Sequence, residues 1–406
     1  GNLYKEIRKG ALSKQVVKSS DRVSMYYMLD IVASSCIHLP LPFRSCVGDA
    51  VLEAMNIKVE SSASLMQRLR FFLYSYFSQD SVQSLWGDHP CMPNIIDADG
   101  EGGGAGGEGD DEGDEGKTSE RSQRLKSLFS DEATTKFEDI YLERDAILFF
   151  RKLCDSTPEI GEDIDIDYKR QDLEIYDLMG HDVPIHRVRV NKVFKSNAKP
   201  LLITAYERKS DRAFKEISKF IIKYGDDLRL DAGAMHMFRF FNTVWSEDGL
   251  CYDDCAIQCL LYGVIPMGTD FGAIEFIPKC LALRKVSELF GKFDSDNIKN
   301  LVASAAGSYI ASFVLGVRDR HYDNVLIRSD GTLFHIDFGY VMGSKLFMDT
   351  AKIAITADLQ KLFEDHWENF VDTATNAYMT LRLHYQEILD YADLVFDFVD
   401  LKVNPS

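Results

Sequence analysis

The fourteen residues from Asn324 to Asp337 constrain the fold of this chain more than any other segment. Two largely apolar runs, residues 325–327 and 333–336, flank Asp330 and Gly331, a dipeptide that favours a two-residue β-turn. The segment therefore predicts an antiparallel β-hairpin in which Asn324 lies opposite Asp337 at the open end. Opposed Cβ atoms in such a pair lie about 4.5–5.5 Å apart.

The open end of this hairpin collects groups that could bind a metal ion and activate a hydroxyl group. An amide oxygen from Asn324 beside the Asp337 carboxylate offers hard ligands to Mg²⁺, which completes its shell with water and phosphate oxygens. Asp319 and His321 lie just upstream and could orient or deprotonate an attacking hydroxyl group. A polar surface hairpin with incidental acids is the alternative, but the convergence of these side chains favours a functional site.

Two more residues of this region have simpler interpretations. Arg320 is expected to pair with a neighbouring carboxylate as a structural ion pair. His335 lies on the second strand of the hairpin and is expected to be a core histidine. Neither residue is therefore assigned to the chemistry.

Polar residues further upstream suggest a phosphate-binding region. Lys223 ends an apolar strand, where its ammonium group could contact phosphate as a point charge, and Asp231 could hold it by an ion pair. A lysine that only extends its charge into solvent is the alternative. Residues 194–200 read as a polar turn in which Ser196 and Lys199 could cover phosphate groups, although this turn alone is a weak signal.

The chain has 406 residues and a net charge of −18, and half of that charge comes from one stretch. Residues 97–116 contain nine acidic residues, nine glycines and no base, so this stretch is predicted to be disordered. It ends at Gly116-Lys117-Thr118, which resembles the end of a phosphate-binding loop, but Asp111 occupies the position of the required glycine and the acidic surroundings repel phosphate. An acidic chain is also a poor candidate for nucleic-acid binding.

Eight scattered cysteines and no secretory signal favour a reduced, cytosolic compartment. Three of them, Cys251, Cys255 and Cys259, recur at every fourth position and could share one face of a buried helix, with a metal site as the less favoured alternative.

The longest apolar run, residues 301–316, is shorter than the about 20 residues that a membrane span needs, and it predicts a core helix. Its three serines fall on one side of that helix, at Ser304, Ser308 and Ser312.

The sequence pattern changes along the chain from helical to strand-rich and back to helical. Helices are predicted at residues 22–35, 46–55, 64–77, 123–153 and 232–245, and through most of the chain after residue 286. Strands are predicted at residues 188–190, 201–205, 220–223, 258–262 and 272–277. A strand-rich lobe followed by a helical lobe, with a cleft between them, predicts the α+β class. The predicted regions are a helical region (1–95), an acidic linker (96–122), a helical connector (123–183), a small lobe (184–285) and a larger, truncated lobe (286–406).

The order of these motifs resembles that of the phosphoinositide 3/4-kinases. The string Gly316-Val-Arg-Asp-Arg-His-Tyr-Asp-Asn324 is similar to the family's Asp-Arg-His catalytic motif, and Phe334-His-Ile-Asp-Phe-Gly-Tyr340 is similar to its Asp-Phe-Gly motif. Residues 223–231 resemble the lysine motif, residues 194–200 the phosphate-binding loop, and residues 262–263 and 274–277 the inner pocket and adenine hinge. The resemblance covers residues 188–400 and implies a bilobal, protein-kinase-like fold.

By that resemblance, the protein is an ATP-dependent kinase. The resemblance assigns ATP binding to Lys223, Ser196, Lys199, Asp231, Tyr262, Glu275 and Ile277. It makes Asp319 and His321 catalytic, and it makes Asn324 and Asp337 ligands of Mg²⁺, with Mn²⁺ as an alternative ion. Phosphoryl transfer itself would rest on positioning and charge stabilisation.

Among the subfamilies, the class III phosphatidylinositol 3-kinases look most similar, through Gly-Val before the catalytic motif, Asp before the metal-binding Asn, and Tyr after Asp-Phe-Gly. The activation segment, residues 340–359, carries only Lys345 and Lys352 as bases, whereas a highly phosphorylated headgroup would favour more positive charge. Unphosphorylated phosphatidylinositol, with its 3-hydroxyl as acceptor, is therefore the predicted substrate. The resemblance further implies peripheral binding to endosomal or autophagic membranes and a regulatory protein subunit.

The chain also departs from the family pattern. Leu230 stands where the family usually has Gln, Arg318 replaces the common Gly before the catalytic Asp, and the activation segment has no proline. A phosphatidylinositol 4-kinase, or a protein kinase of the related large-kinase family, is one alternative interpretation. A catalytically inactive scaffold with a kinase fold is another, and the presence of Lys223 and Asp337 argues against it.

Overall fold

The computed structural model describes residue 67 and residues 144–156, 158–166, 175–180, 183–195, 199–210, 212–268, 270–342 and 355–396. The chain divides into two compact units, Gly1–Glu143 and Arg144–Ser406. In the first unit only Gln67 is described, and it is helical, within the helix predicted at residues 64–77. The other predicted N-terminal helices, the acidic linker and the Gly116-Lys117-Thr118 string lie outside the described residues.

The second unit mixes helices and strands, as the α+β prediction requires. Its helices are α1 (Arg144–Asp155), α2 (Arg229–Glu247), α3 (Ser295–Val314), α4 (Ala357–Leu362), α5 (Trp367–Leu383) and α6 (Tyr385–Phe396), with 3₁₀ helices at Leu283–Leu289 and Glu364–His366. Its strands are β1 (Asp163–Asp165), β2 (Arg187–Val193), β3 (Leu201–Ser210), β4 (Ala213–Tyr224), β5 (Cys251–Tyr252), β6 (Cys255–Ala256), β7 (Val264–Pro266), β8 (Phe271–Glu275), β9 (Cys280–Ala282), β10 (Val325–Arg328) and β11 (Leu333–His335). The prediction of two lobes with a cleft between them stays a prediction.

Six of the strands form one antiparallel sheet in the order β1-β2-β3-β4-β8-β7. Alternate residues of its central strands point to one buried face, among them Val188, Val190, Ile203, Phe220 and Ile222. Phe150 of α1 packs edge-on against the Phe220 ring, with centroids 5.9 Å apart. Full burial of a side chain of this size stabilises the fold by roughly 1.5–3 kcal/mol, so α1 is held to the sheet by its apolar face.

Helix α3 forms the core of the helical part. Its N-terminus has a capping box, because the Asp294 carboxylate accepts the Asn297 N–H and the Asn297 side chain accepts the Asp294 N–H. Gly307 lets the helix approach the chain at Gln258, where a Cβ atom at position 307 would lie 2.8 Å from backbone atoms. The core helix predicted at residues 301–316 is thus confirmed, with bounds shifted towards the N-terminus.

Helix α2 links several parts of the second unit. The Trp245 indole N–H at its C-terminal end donates a 3.0 Å hydrogen bond to the Ala377 carbonyl of α5. The helix predicted at residues 232–245 is confirmed within the longer α2. None of the helices among the described residues combines the length and apolar character that crossing a membrane requires.

Two local predictions were wrong. Cys251 and Cys255 lie on the paired strands β5 and β6 rather than on a helix, because Asp253 adopts a left-handed conformation (φ 52°) and turns the chain between them. Residues 258–262 form no strand, and the strand of this region is β7, which begins at Val264. Within the described part of the chain, no group of three or more His, Cys, Asp or Glu side chains could hold a metal ion.

Candidate active site

The hairpin that the sequence predicts is present, but its register differs by one residue. The Arg328 N–H donates to the Thr332 carbonyl (2.9 Å), and the Gly331 N–H donates to the Arg328 carbonyl (3.0 Å), so the loop has three residues instead of two. Gly331 has φ +89° and occupies the left-handed position that ends such loops. Val325 therefore pairs with His335, and the predicted pairing of Asn324 with Asp337 is wrong.

The corrected register places Asn324 opposite Ile336, whose N–H donates to the Asn324 carbonyl (3.0 Å). Asp337 is the next residue, so it lies one position beyond the residue that pairs with Asn324. The Asn324 side chain is buried, and its amide nitrogen donates to the Asp319 carbonyl (3.0 Å). This bond leaves the amide oxygen of Asn324 as the atom that could face a metal ion.

The two aspartates predicted to act at this site both have unusual backbone conformations. Asp319 has φ 57° and Asp337 has φ 64°, in the left-handed region that non-glycine residues rarely adopt. Such conformations cost free energy and persist only where neighbouring contacts impose them. Their occurrence at these two positions is typical of a functional site.

Arg320 supplies many of these contacts. Its guanidinium group donates to three backbone carbonyls, those of Arg318 (2.8 Å), Ile336 (2.9 Å) and Asp337. The side chain is buried, and its charge lies 5.5 Å from the centre of the Phe338 ring. The expected ion pair with a carboxylate is thus replaced by hydrogen bonds to main-chain oxygens, which tie the Asp319 loop to the Asp337 segment.

Lys223 lies at the end of β4, and its side chain is only 14% exposed. Its ammonium nitrogen lies 3.2 Å from Asp226 Oδ2 and 4.0 Å from Asp337 Oδ2. Burial acts to lower the pKa of Lys223, but the negative charges of Asp231, Asp337 and Asp226 outweigh it, and the pKa is raised. Lys223 is therefore charged at neutral pH and joins the strand-rich part of the unit to the Asp337 segment.

Asp231 lies on the first turn of α2 and is buried. Its Oδ1 atom accepts the Phe338 N–H (3.1 Å), so it binds the residue after Asp337. Burial raises the pKa of Asp231 from 3.8 to about 6, against the lowering effect of the Lys223 charge. Lys223 and Asp231, the predicted ion pair, therefore shift each other's pKa through their charges. The carboxylate oxygens that lie close to the Lys223 ammonium group belong to Asp226 and Asp337.

Asp319 and His321 both reach solvent, with side chains 39% and 46% exposed. The His321 Nε2 and Asp319 Oδ2 atoms are 3.9 Å apart, and His321 Nδ1 accepts the Asp323 N–H (3.2 Å). Because the Asp323 N–H occupies Nδ1, the Nε2 atom is the one directed to Asp319. A carboxylate and an imidazole this close could share the proton of an attacking hydroxyl group.

The residues predicted to line the inner pocket and to bind the adenine group lie on or beside strands β7 and β8. Tyr262 is buried against the Phe334 ring. The Glu275 N–H donates to the Gly263 carbonyl (2.8 Å), so that group cannot also bind a nucleotide. The Glu275 carboxylate accepts the Gly263 N–H (2.7 Å). Ile277 follows the end of β8 and is half-buried.

Of the phosphate-loop residues, Lys199 is described and exposed, with φ 42°. The loop closes through the Phe194 N–H, which donates to the Pro200 carbonyl (2.9 Å). Ser196 and the activation-segment lysines Lys345 and Lys352 lie outside the described residues.

Two contacts of this site have no direct signal in the sequence. One is the ion pair of Lys223 with Asp226, which lies three residues further along the chain in a turn. The other is the bond from Phe338 to Asp231, which spans 107 residues. His335 is buried as predicted, and burial, with the nearby Arg320 charge, holds its pKa well below the usual range.

The donor atoms at this site fit Mg²⁺ bound together with a nucleotide. Asn324 and Asp337 offer one amide oxygen and one carboxylate, which suit a hard cation. Mg²⁺ needs only one or two protein ligands when phosphates and water complete its shell, so the lack of a larger acidic cluster in the described residues is compatible with it. The Asp337 side chain is 51% exposed, which leaves its oxygens accessible.

The sequence also matches known proteins over the part of the chain that forms this site. The family described as "Phosphatidylinositol 3- and 4-kinase" matches residues 217–292 and 283–397. The phosphatidylinositol 3-kinase C2 domain-containing subunit gamma of Mus musculus is 31% identical over 234 residues, which are 50% of this chain and 15% of that protein. The phosphatidylinositol 4-phosphate 3-kinase C2 domain-containing subunit alpha of Pongo abelii is 29% identical over 234 residues, 50% of this chain and 13% of that protein.

Another relative matches a stretch of similar length. The phosphatidylinositol 3-kinase VPS34 of Candida glabrata is 28% identical over 249 residues, 55% of this chain and 27% of that protein. The chain thus spans only a small part of the length of these relatives. Residues 217–397, which include Lys223, Asp319, Asn324 and Asp337, match the phosphatidylinositol 3- and 4-kinase family.

Proposed function

We propose that the protein transfers the γ-phosphate of ATP to the 3-hydroxyl group of phosphatidylinositol. The observation that carries this proposal is the convergence of a buried lysine, Lys223, on the Asp337 carboxylate, 4.0 Å away. A cation for phosphate and a ligand for Mg²⁺ are the two charges that phosphoryl transfer needs side by side. The family match of the same residues supports the proposal.

Each charged group has a distinct part in the proposed reaction. The Lys223 ammonium group binds phosphate oxygens, and Asn324 and Asp337 hold Mg²⁺. Mg²⁺ supplies neutralisation of the charge on the phosphate groups during transfer. Asp319 and His321 orient the attacking hydroxyl group, and the Asp319 carboxylate accepts its proton, because a neutral His321 whose Nδ1 accepts the Asp323 N–H carries its own proton on Nε2.

The substrate is inferred from the relatives and from charge. Relatives from mouse and Candida glabrata are named phosphatidylinositol 3-kinases, which favours the 3-hydroxyl as acceptor. The activation segment contributes only Lys345 and Lys352, which favours a headgroup without further phosphates. We likewise propose that the protein works at endosomal or autophagic membranes with a regulatory subunit, as the family match suggests.

A second substrate, phosphatidylinositol 4-phosphate, is supported by one residue. Arg318 precedes the catalytic Asp319, and its backbone N–H donates to the Tyr340 carbonyl (2.8 Å) at the start of the activation segment. A guanidinium group at this place could pair with a headgroup phosphate. The Pongo abelii relative is named for that substrate.

Product analysis tests the proposal. The chain is incubated with ATP, Mg²⁺ and vesicles that contain either phosphatidylinositol or phosphatidylinositol 4-phosphate, and the products are separated by isomer. We expect phosphatidylinositol 3-phosphate from the first vesicles and a much slower reaction with the second. Formation of the 4-phosphate alone would contradict the 3-kinase assignment, and a faster reaction with the second vesicles would favour the Arg318 alternative.

A variant and a binding measurement separate an enzyme from an inactive scaffold. Asp337→Ala is expected to abolish transfer and to leave the fold largely intact, because its side chain is half exposed. The parent should show a thermal shift with ATP and Mg²⁺ together. If the parent shows no such shift and no product, the scaffold interpretation replaces the kinase proposal.

A further inference from the structure

Three serines of α3 bind the outer edge of the hairpin. The Ser304 hydroxyl oxygen accepts the Leu333 N–H (2.9 Å), and the Ser308 hydroxyl donates to the Leu333 carbonyl (3.0 Å). Ser312 bonds the His335 side chain, with 2.5 Å between Oγ and Nδ1. The serine stripe that the sequence places on one side of the helix is therefore a ladder along β11.

The ladder is possible because the three serines recur at every fourth position of α3, so successive hydroxyl groups lie about 6.0 Å apart along the helix. The first two reach the N–H and the carbonyl of one strand residue, Leu333, and the third reaches His335, two residues further along β11. Because β11 is an outer strand of the order β11-β10-β9, the helix satisfies backbone groups that a neighbouring strand would otherwise bind.

The third contact of the ladder differs from the first two. Ser304 and Ser308 bind the backbone of Leu333, whereas Ser312 binds a side chain. His335 is buried, its ring lies edge-on to Tyr309 at 5.1 Å, and its Nε2 atom has no hydrogen-bond partner among the described residues. An apolar side chain would fill this place without the cost of a buried, unpaired nitrogen, so the bond to Ser312 is what the imidazole contributes.

The Ser312 contact also lies next to the metal site. His335 is two residues before Asp337, whose left-handed backbone requires restraint from its neighbours. Downstream of Asp337 that restraint comes from the bond between Phe338 and Asp231. Upstream, Arg320 binds the Ile336 carbonyl, and the bond between His335 and Ser312 is the last hydrogen bond to α3 before Asp337 in the described part of the chain.

We propose that Ser312 and His335 form a positioning pair that places the Asp337 carboxylate for metal binding. The pair contacts neither substrate nor metal, and it acts through the two peptide units between His335 and Asp337. This inference rests on the proposed function, because it assigns Asp337 to a metal ion. It predicts that the loss of the Ser312 hydroxyl weakens the metal-dependent part of nucleotide binding.

Calorimetric titration of the full chain with a non-hydrolysable ATP analogue, with and without Mg²⁺, tests this inference. The ratio of the two Kd values measures how much Mg²⁺ strengthens binding. In Ser312→Ala we expect this ratio to fall about three- to tenfold, as the loss of one hydrogen bond would cause. Binding without Mg²⁺ should stay unchanged.

Ser304→Ala is the matched control, since it removes the same atom from the same helix but affects the backbone of Leu333 and Asn300 and not the His335 side chain. It should lower thermal stability at least as much as Ser312→Ala and leave the Mg²⁺ ratio unchanged. His335→Asn places an amide nitrogen where Nδ1 was, so Mg²⁺ should strengthen nucleotide binding nearly as much as in the parent. In His335→Leu this strengthening by Mg²⁺ should be lost.

Two results would overturn the positioning role. Equal loss of the Mg²⁺ ratio in Ser304→Ala and Ser312→Ala would show that the ladder serves stability alone. An unchanged ratio in a folded Ser312→Ala variant would show that Asp337 does not depend on this pair. A parent protein whose nucleotide binding ignores Mg²⁺ would contradict the proposed function itself, and with it the metal role on which the pair depends.

Discussion

The Asp231 carboxylate of α2 accepts a 3.1 Å hydrogen bond from the backbone N–H of Phe338, the residue that follows Asp337, the proposed metal ligand. The bond joins parts of the chain 107 residues apart and is buried. The Phe338 ring also packs edge-on against Phe238, seven residues further along α2 (5.3 Å between centroids). Helix α2 thus restrains the Asp337 segment through one polar and one apolar contact.

The pH dependence of stability should report the buried carboxylate of Asp231. Burial raises its pKa from 3.8 in the unfolded chain to about 6 in the folded protein. Its contribution to stability is therefore complete below pH about 4 and is lost as the pH rises through about 6. The free energy of unfolding of the parent, relative to Asp231→Asn, should fall on the order of 2–3 kcal/mol between pH 4 and 7.

Denaturant unfolding at pH steps between 4 and 7 measures this difference. Asparagine keeps an oxygen for the Phe338 N–H but does not titrate, so the subtraction isolates Asp231. A constant difference across this range would mean that Asp231 titrates alike in the folded and unfolded chain.

Lys223→Met tests the same electrostatic coupling from the other side. The Lys223 charge lowers the pKa of Asp231, so its removal should move the pH window of Asp231 upwards. It should also weaken ATP binding at least about tenfold, because the phosphate loses a buried cation. Denaturant unfolding of Lys223→Met and of Lys223→Met/Asp231→Asn, compared over the same pH steps, measures the shift of the pH window. Calorimetric titration with ATP measures the loss of affinity. An unmoved window would show that Lys223 and Asp231 are not coupled.

The parts of this site that could be predicted are those that local patterns specify. Alternating apolar residues predicted strands at residues 201–205 and 220–223, and the structure contains both within β3 and β4. The hairpin was predicted from Asp330-Gly331, but the same dipeptide also fits a three-residue loop in which glycine takes the left-handed position. Only the contacts of the whole fold choose between these turns, because local chemistry permits both.

Contacts between distant segments could not be predicted from such patterns. The bond of Phe338 to Asp231 depends on how α2 packs against the hairpin, which no spacing in the sequence encodes. Arg320 was expected to find a carboxylate because guanidinium groups commonly do. In the fold it is surrounded by main-chain carbonyls, and its charge is satisfied there instead.

Arg320→Lys should therefore be far more damaging than its conservative chemistry suggests. An ammonium group cannot span the Arg318, Ile336 and Asp337 carbonyls as the planar guanidinium does. We expect kcat to fall at least about 100-fold and the free energy of unfolding by about 1–3 kcal/mol, since buried acceptors lose their donors. Kinase assays and denaturant unfolding measure both.

Arg328→Lys is the comparison variant for Arg320→Lys. Arg328 pairs with the Asp330 carboxylate near the hairpin turn (Nε to Oδ2, 2.8 Å), and both side chains are more than a third exposed. Its replacement should change stability by no more than about 0.5 kcal/mol. If Arg320→Lys kept full activity, main-chain anchoring by Arg320 would not matter to catalysis.

The three-residue turn can be tested at Gly331, and a second glycine provides the control. Gly331 has φ +89°, and a Cβ atom there would collide with the backbone of Asn297 on α3. Gly291 has φ +67° but open space around it, so an alanine there meets only the backbone strain of about 1 kcal/mol. Because the Asn297 backbone belongs to the capped first turn of α3, it cannot move away cheaply. Gly331→Ala should therefore lower the free energy of unfolding by at least about 2 kcal/mol more than Gly291→Ala, measured by denaturant unfolding. Equal losses in the two variants would show that the hairpin turn does not rest on α3.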